Sequence, residues 1–131
     1  MSHLIVTRMG GPEDAEAGEI TSPSWNDIES AVRKLDGDGF SLVILGIGDP
    51  PVPHMAIGGG DGKYIVYATA DNMVFHKAIN SKAVDGKCSV VAGGQRGIYD
   101  LRLCVGLEDA LRAAKTYAET GNLDPNLKWE T

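Results

Sequence analysis

A chain of 131 residues, 43% hydrophobic and 23% charged, has the composition of one soluble globular domain and excludes a disordered or fibrous reading. Eighteen acids against twelve Lys and Arg leave a net charge of -6, which excludes a fold-wide basic footprint for DNA, RNA or anionic lipid. Such a surface suits a basic protein partner, although surplus charge also serves solubility alone.

In chain order, His3 to Arg8 reads as a short strand, broken by Gly10-Gly11-Pro12. Glu13 to Glu19 reads as a solvated acidic loop. Met1 to Arg8 has no basic segment leading into a long apolar run, so no signal peptide is expected. Ser22 is expected to cap a first helix, with Pro23 at its first position, where a missing N–H costs nothing. Trp25, Ile28, Val32 and Leu35 fall on one face of that helix, and Gly37 supplies its left-handed stop.

Ser41 to Ile47 is a β-branched apolar run ended by Gly48-Asp49-Pro50-Pro51. The longest uncharged apolar run, Leu42 to Gly48, is far too short to span a bilayer. His54–Ile57 and Lys63–Ala68 flank the glycine-rich turn Gly58 to Gly62, a hairpin signal with a loop longer than two residues. Asn72 to Ile79 is expected as a further strand after an Asp71-Asn72 turn. Lys87–Ala92 and Ile98–Val105 are expected to pair across Gly93-Gly94-Gln95-Arg96-Gly97, and the alternation of Asp100 and Arg102 with Leu101, Leu103 and Val105 suits an antiparallel sheet with one wet face. Leu107, Ala110, Leu111, Ala114, Tyr117 and Ala118 mark the strongest helix, closed by Gly121. In the tail, Trp129 is expected to pack back on the body, since an exposed indole is costly. The expected fold is α+β, with residues 1–131 forming one domain. It has a mostly antiparallel sheet of about five to six strands, packed by the first helix and the C-terminal helix.

The motifs point away from catalysis. Gly58-Gly59-Gly60-Asp61-Gly62-Lys63 departs from a phosphate-binding loop: Ile57 stands where the first glycine belongs, Tyr64 replaces Ser or Thr, and a strand follows instead of a helix. Gly93-Gly94-Gln95 shares its letters with a release-factor tripeptide but reads as a turn. Asp36-Gly37-Asp38-Gly39 lacks the closing Glu of a calcium loop. His3, His54 and His76 are far apart, with no Cys or acid at metal spacing, so neither metal nor cofactor is expected. Cys88 and Cys104 lie in apolar strands and are expected to be buried, reduced and structural, with a single disulfide between them as the alternative. A Cys–His nucleophile pair is weaker still. Ser41, Ser81 and Ser89 lack a nucleophile-elbow context. No enzyme is expected, and a cytoplasmic location is the default for reduced thiols.

Four blocks carry a likeness to a known family. They are the helix with Trp25 and Leu35-Asp36; Met55-Ala56-Ile57-Gly58-Gly59-Gly60 leading to Tyr64; Gly93-Gly94-Gln95-Arg96-Gly97; and an ending of Ala110-Leu111, Tyr117-Ala118-Glu119-Thr120-Gly121 and Leu127-Lys128-Trp129-Glu130. Over roughly residues 20 to 130 the chain resembles the first-numbered family of immunity proteins from bacterial polymorphic toxin systems. The resemblance implies a cytoplasmic inhibitor without catalysis of its own, bound to a cognate toxin domain that is a nucleic-acid deaminase or another nuclease-like enzyme. A basic toxin would complement the acidic chain, with no direct nucleic-acid or membrane binding. The acids to test as contacts are Asp61, Asp71 and Asp85, because turns hold side chains clear of a sheet. The alternatives are a small-ligand-binding domain that uses its glycine-rich hairpins as backbone cradles, or an interaction module of a larger assembly.

Overall fold

A computed structural model of the chain describes residues 5–10, 18–21, 23–36, 40–48, 51–71, 73–82, 85–92 and 95–131. The strands are β1 (Ile5–Gly10), β2 (Gly18–Thr21), β3 (Phe40–Gly48), β4 (Pro51–Gly60), β5 (Lys63–Thr69), β6 (Phe75–Ile79), β7 (Lys87–Ala92), β8 (Gln95–Asp100) and β9 (Lys128–Glu130). The helices are α1 (Trp25–Arg33) and α2 (Leu107–Thr120), with a single 3-10 turn over Leu101–Leu103. Seven strands form one antiparallel sheet in the order β2-β1-β3-β4-β5-β6-β9, and β7-β8 is a separate hairpin. The α+β class and the two packing helices match the sequence reading. The main sheet has more strands than expected, because β2 and β9 form short edges.

Strand alternation splits the sheet into two faces. Val43, Leu45, Met55, Ile57, Val66, Ala68 and Ala78 are buried on one face with Ile28, Ala31 and Val32 of α1 and Ala110, Ala113, Ala114 and Tyr117 of α2. The β7-β8 hairpin covers the other face, where Cys88, Val90 and Cys104 cluster with Ile65, Tyr99 and Leu101. Strand β4 is therefore covered on both sides and is buried from His54 to Gly60. At Gly59 the backbone is left-handed (φ +111°), and a Cβ there would run into the Lys63 carbonyl.

Local boundaries shift from the expectation for identifiable reasons. Helix α1 is capped by Ser24 and not by Ser22, which lies outside the described residues. The Ser24 hydroxyl accepts the Asp27 amide at 3.1 Å, and the Asp27 carboxylate accepts the Ser24 amide at 2.9 Å, a reciprocal capping box that Ser22-Pro23 cannot make. The helix ends at Arg33 with Lys34 as its cap, while the expected Gly37 stop is outside the described residues. The first glycine turn is tight: β4 and β5 pair as far as Gly60 and Lys63, so only Asp61 and Gly62 connect them. Both have positive φ (56° and 85°), as a type I′ hairpin requires.

The expected strand from Ile98 to Val105 stops at Asp100. There the Leu101 amide bonds the Gly86 carbonyl, the Cys104 amide bonds the Leu101 carbonyl, and the Asn80 amide bonds the Arg102 carbonyl, so distant partners curl the chain. Of the expected acidic loop, Gly18 and Glu19 belong to β2, and residues 13–17 lie outside the described set. The Gly10-Gly11-Pro12, Gly48-Asp49-Pro50-Pro51 and Gly93-Gly94 breaks also fall wholly or partly on residues outside it. The expected pair of reduced thiols is corrected: Cys88 and Cys104 are joined as a disulfide. Compartment arguments say nothing about position, and the hairpin returns the chain so that both cysteines share one buried cluster.

Trp129 is half-buried on β9 opposite Ala78, packed against the main core, and its indole N–H donates to the Asp124 carbonyl at 3.0 Å. The Asp124 carboxylate, 5% exposed, accepts the Thr116 hydroxyl and the Asn126 amide, each at 2.7 Å. Trp129→Ala should cost about 3 kcal/mol, read as a lower denaturation midpoint; an unchanged midpoint would show a tail that does not hold the fold. The disulfide closes a separation of 16 residues. By the chain-entropy argument, replacing both cysteines with Ala should cost about 3 kcal/mol, and the native protein should release no thiol to a polar reagent before reduction.

Candidate partner-binding surface

Asp61 and Asp71 lie in the turns at the two ends of β5, with seven strand residues between those turns. At about 3.3 Å per residue, roughly 23 Å of strand separates them. Asp85 follows β6, whose last residues run to the end of β5 that carries Asp61. The fold thus sets Asp61 and Asp71 at opposite ends of β5, with Asp85 in the connection from β6 to β7. All three are exposed, and Asp61 and Asp85 form no ion pair among the described residues.

Asp71 has a second task. Its Oδ1 accepts the backbone amides of Met73 at 2.8 Å and Val74 at 3.0 Å, and its own amide donates to the Thr69 hydroxyl at 3.4 Å. Chiefly the Val74 amide, then the Met73 amide, holds this carboxyl below the usual carboxylate range. The turn keeps Met73 (82% exposed) and Val74 (48%) out in solvent beside the acid. The expected strand from Asn72 hid this pair, since alternation would have buried one of them. The Asp71-Asn72 signal for a side-chain-stabilised turn was the clue that could have exposed it.

Other acids are already committed. Lys87 pairs with Asp100, and Arg102 bridges Asp100 at 3.8 Å and Glu130 at 2.5 Å, linking the root of the hairpin to β9. Hydrogen bonding by Lys87 lowers the Asp100 carboxyl below its usual range. Glu29 pairs with Arg33 at 2.9 Å along α1. These exposed pairs add little stability. They cancel local charge, whereas Asp61 and Asp85 form no ion pair among the described residues.

Catalytic chemistry finds little support in the geometry. His54 is buried on β4 with its Nε2 3.3 Å from the Tyr67 hydroxyl, and His76 lies on β6; His3 is outside the described residues. Among the described residues, no three His, Cys, Asp or Glu side chains are grouped to hold a metal ion. With both sulfurs in a disulfide there is no thiolate for a Cys–His nucleophile. Lys63 of the glycine block opens strand β5, so no helix N-terminus stands behind it to receive phosphate. Also among the described residues, no helix is long and apolar enough to cross a membrane.

Comparison with known families returns a match to the model described as Immunity protein Imm1, over residues 16–131. No curated protein matches the chain.

Because bonds to the ionised form depress the Asp71 carboxyl, its stabilisation of the turn is fully present above the ordinary carboxylate pKa. It is lost as pH falls through the lower folded-state value. In a carboxyl-detected NMR titration, Asp71 and Asp100 should titrate below the usual carboxylate range. Loss of the Met73 and Val74 amide shifts should track Asp71 alone.

Proposed function

The chain belongs to the Imm1 immunity protein family, and we propose that it binds and neutralises a cognate bacterial toxin domain, with no catalysis of its own. The family match across residues 16–131 carries this reading. In our reading the toxin is a basic nucleic-acid deaminase or nuclease of a polymorphic toxin system, met in the cytoplasm. The acidic inhibitor, with its net charge of -6, offers that enzyme the charge its substrate would offer. No direct contact with nucleic acid or membrane is needed.

The proposed contact residues are Asp61, Asp71 and Asp85, joined by Met73 and Val74. Turn carboxylates meet Lys or Arg of the toxin, and the unburied apolar pair supplies area that a partner can desolvate. Asp71 is the poorest of the three for a charge test, because its carboxylate builds its own turn. Asp61 and Asp85 carry no such task in any hydrogen bond or ion pair among the described residues.

Co-expression with the toxin domain encoded beside it should rescue growth and give a stable complex on pull-down. Failure to bind and to protect against that toxin would overturn the immunity reading. Asp61→Lys and Asp85→Lys should slow association and flatten its salt dependence, since exposed charges steer partners over a screening length of about 8 Å at physiological ionic strength. Thermal stability should be unchanged in Asp85→Lys and lowered by about 1 kcal/mol in Asp61→Lys, because position 61 has a positive φ that Asp tolerates better than Lys. Wild-type association rates in either variant would remove those acids from the interface while leaving the immunity reading intact.

A further inference from the structure

A cavity of about 430 Å³ lies between the sheet and the β7-β8 hairpin, lined by residues that include Ala56, Gly58, Tyr67, Phe75, Lys77, Ala92 and Tyr99. Its size falls within the range of small-molecule sites. Small residues, namely Ala56 and Gly58 on β4 and Ala92 on β7, leave the space that larger side chains would fill. Rings border it: Tyr67 and Phe75 meet edge to face at 5.3 Å, and the Tyr67 hydroxyl lies 3.3 Å from His54 Nε2. Tyr99 approaches from the hairpin. Its ring lies so close over Gly97 that a Cβ there would sit 2.8 Å from it, so the glycine permits this ring position.

Lys77 is the charged residue of the lining. It is partly buried, and its side chain forms no hydrogen bond or ion pair among the described residues. Its cross-strand neighbour is Glu130, whose carboxylate is held by Arg102 at 2.5 Å. Among the described residues, no acid belongs to the lining. An ammonium group at the rim of an apolar, ring-lined cavity, without a counter-ion, favours an occupant with a flat apolar body and one anionic group.

We propose that this cavity is a binding site for a small aromatic carboxylate, its ring among Tyr67, Phe75 and Tyr99 and its carboxylate on the Lys77 ammonium. The site goes beyond the toxin reading and stands without it, since none of Asp61, Asp71, Asp85, Met73 and Val74 lines the cavity.

The test uses the intact chain with 3-phenylpropionate and its uncharged amide, followed by calorimetry and by NMR shift mapping. The carboxylate should bind saturably at one site, at least tenfold more tightly than the amide, and should shift Tyr67, Phe75, Lys77 and Tyr99. Lys77→Met keeps the apolar stem and removes the charge; it should weaken the carboxylate about tenfold, to the level of the amide, and leave the amide unchanged. Ala92→Phe should fill the cavity and abolish both. Lys77→Met with wild-type affinity for the carboxylate, no saturable binding at millimolar concentration, or shifts mapping away from the cavity would each overturn the site. Should Ala92→Phe fail to fold, the Lys77→Met comparison decides alone, with its melting temperature as the check on folding.

Discussion

Tyr64 and Val105 exchange two backbone hydrogen bonds, amide to carbonyl, at 2.9 and 2.8 Å, and the arrangement of the covering elements depends on that exchange. At Tyr64 one edge of β5 is taken by Gly59 of β4, while β6 pairs with β5 only from Tyr67 to Thr69. The free stretch of edge is filled by Val105. Immediately after it, Gly106 caps α2, so the bond pair fixes where that helix starts relative to the sheet. Immediately before it, Cys104 is bonded to Cys88 at the root of the hairpin. Asn80, just past β6, closes the corner by donating its side-chain amide to the Cys104 carbonyl at 3.1 Å. One helix and the opposing hairpin are thereby referred to a single point on a central strand.

Two-sided covering explains the composition of the middle strands. Parallel sheets are usually the ones buried on both faces, and antiparallel sheets usually keep one face wet. Here an antiparallel sheet loses its wet face at β4 and β5 because the hairpin crosses it. Small residues allow this approach: Gly58 and Ala56 lie under the hairpin, and Val90 comes within 3.0 Å of where a Gly59 Cβ would stand. On the other face Ala110, Ala113 and Ala114 have no exposed surface, which lets α2 sit close to the sheet. Lys115 leaves that interface and stands 5.8 Å above the Trp25 ring of α1. The glycine wealth of the sequence thus serves close packing as well as turns.

What could be read from the sequence was what is decided locally. Alternation gave β7 to the residue, and the 3-4 spacing with Gly121, left-handed at φ 76°, gave the body and end of α2. The apolar face of α1 was legible too, although its cap was not, since Ser22 and Ser24 both precede an apolar run and only the acid at Asp27 distinguishes them. Edges β2 and β9 escaped because strands of four and three residues carry too little alternation to stand out. The end of β8, the disulfide and the Val105 bridge are set by partners up to tens of residues away, which no local pattern encodes. Among the site residues, position was legible and duty was not. Asp61, Asp71 and Asp85 all read as turn acids, yet Asp71 is bonded to its own backbone while the other two are left unbound.

That division of duty bears on how such a surface can serve recognition. A strand covered on both faces is a stiff spacer, so the turns at the ends of β5 are held at a near-constant separation. Residues at those turns contribute little to the core: Asp61 and Gly62 are exposed, and so are Met73 and Val74. Changing them leaves the buried pairing of β4 with β5 intact, apart from the positive φ that favours Gly at position 62 and tolerates Asp at position 61. Charge is partitioned in the same way. Asp100 and Glu130 are held in ion pairs where the hairpin root meets the tail and Glu29 in one along α1, whereas Asp61 and Asp85 form none among the described residues. If these turns are the contact surface as proposed, charge at Asp61 and Asp85 can change without unpairing a structural acid, whereas at Asp71 it cannot, because that carboxylate holds its own turn.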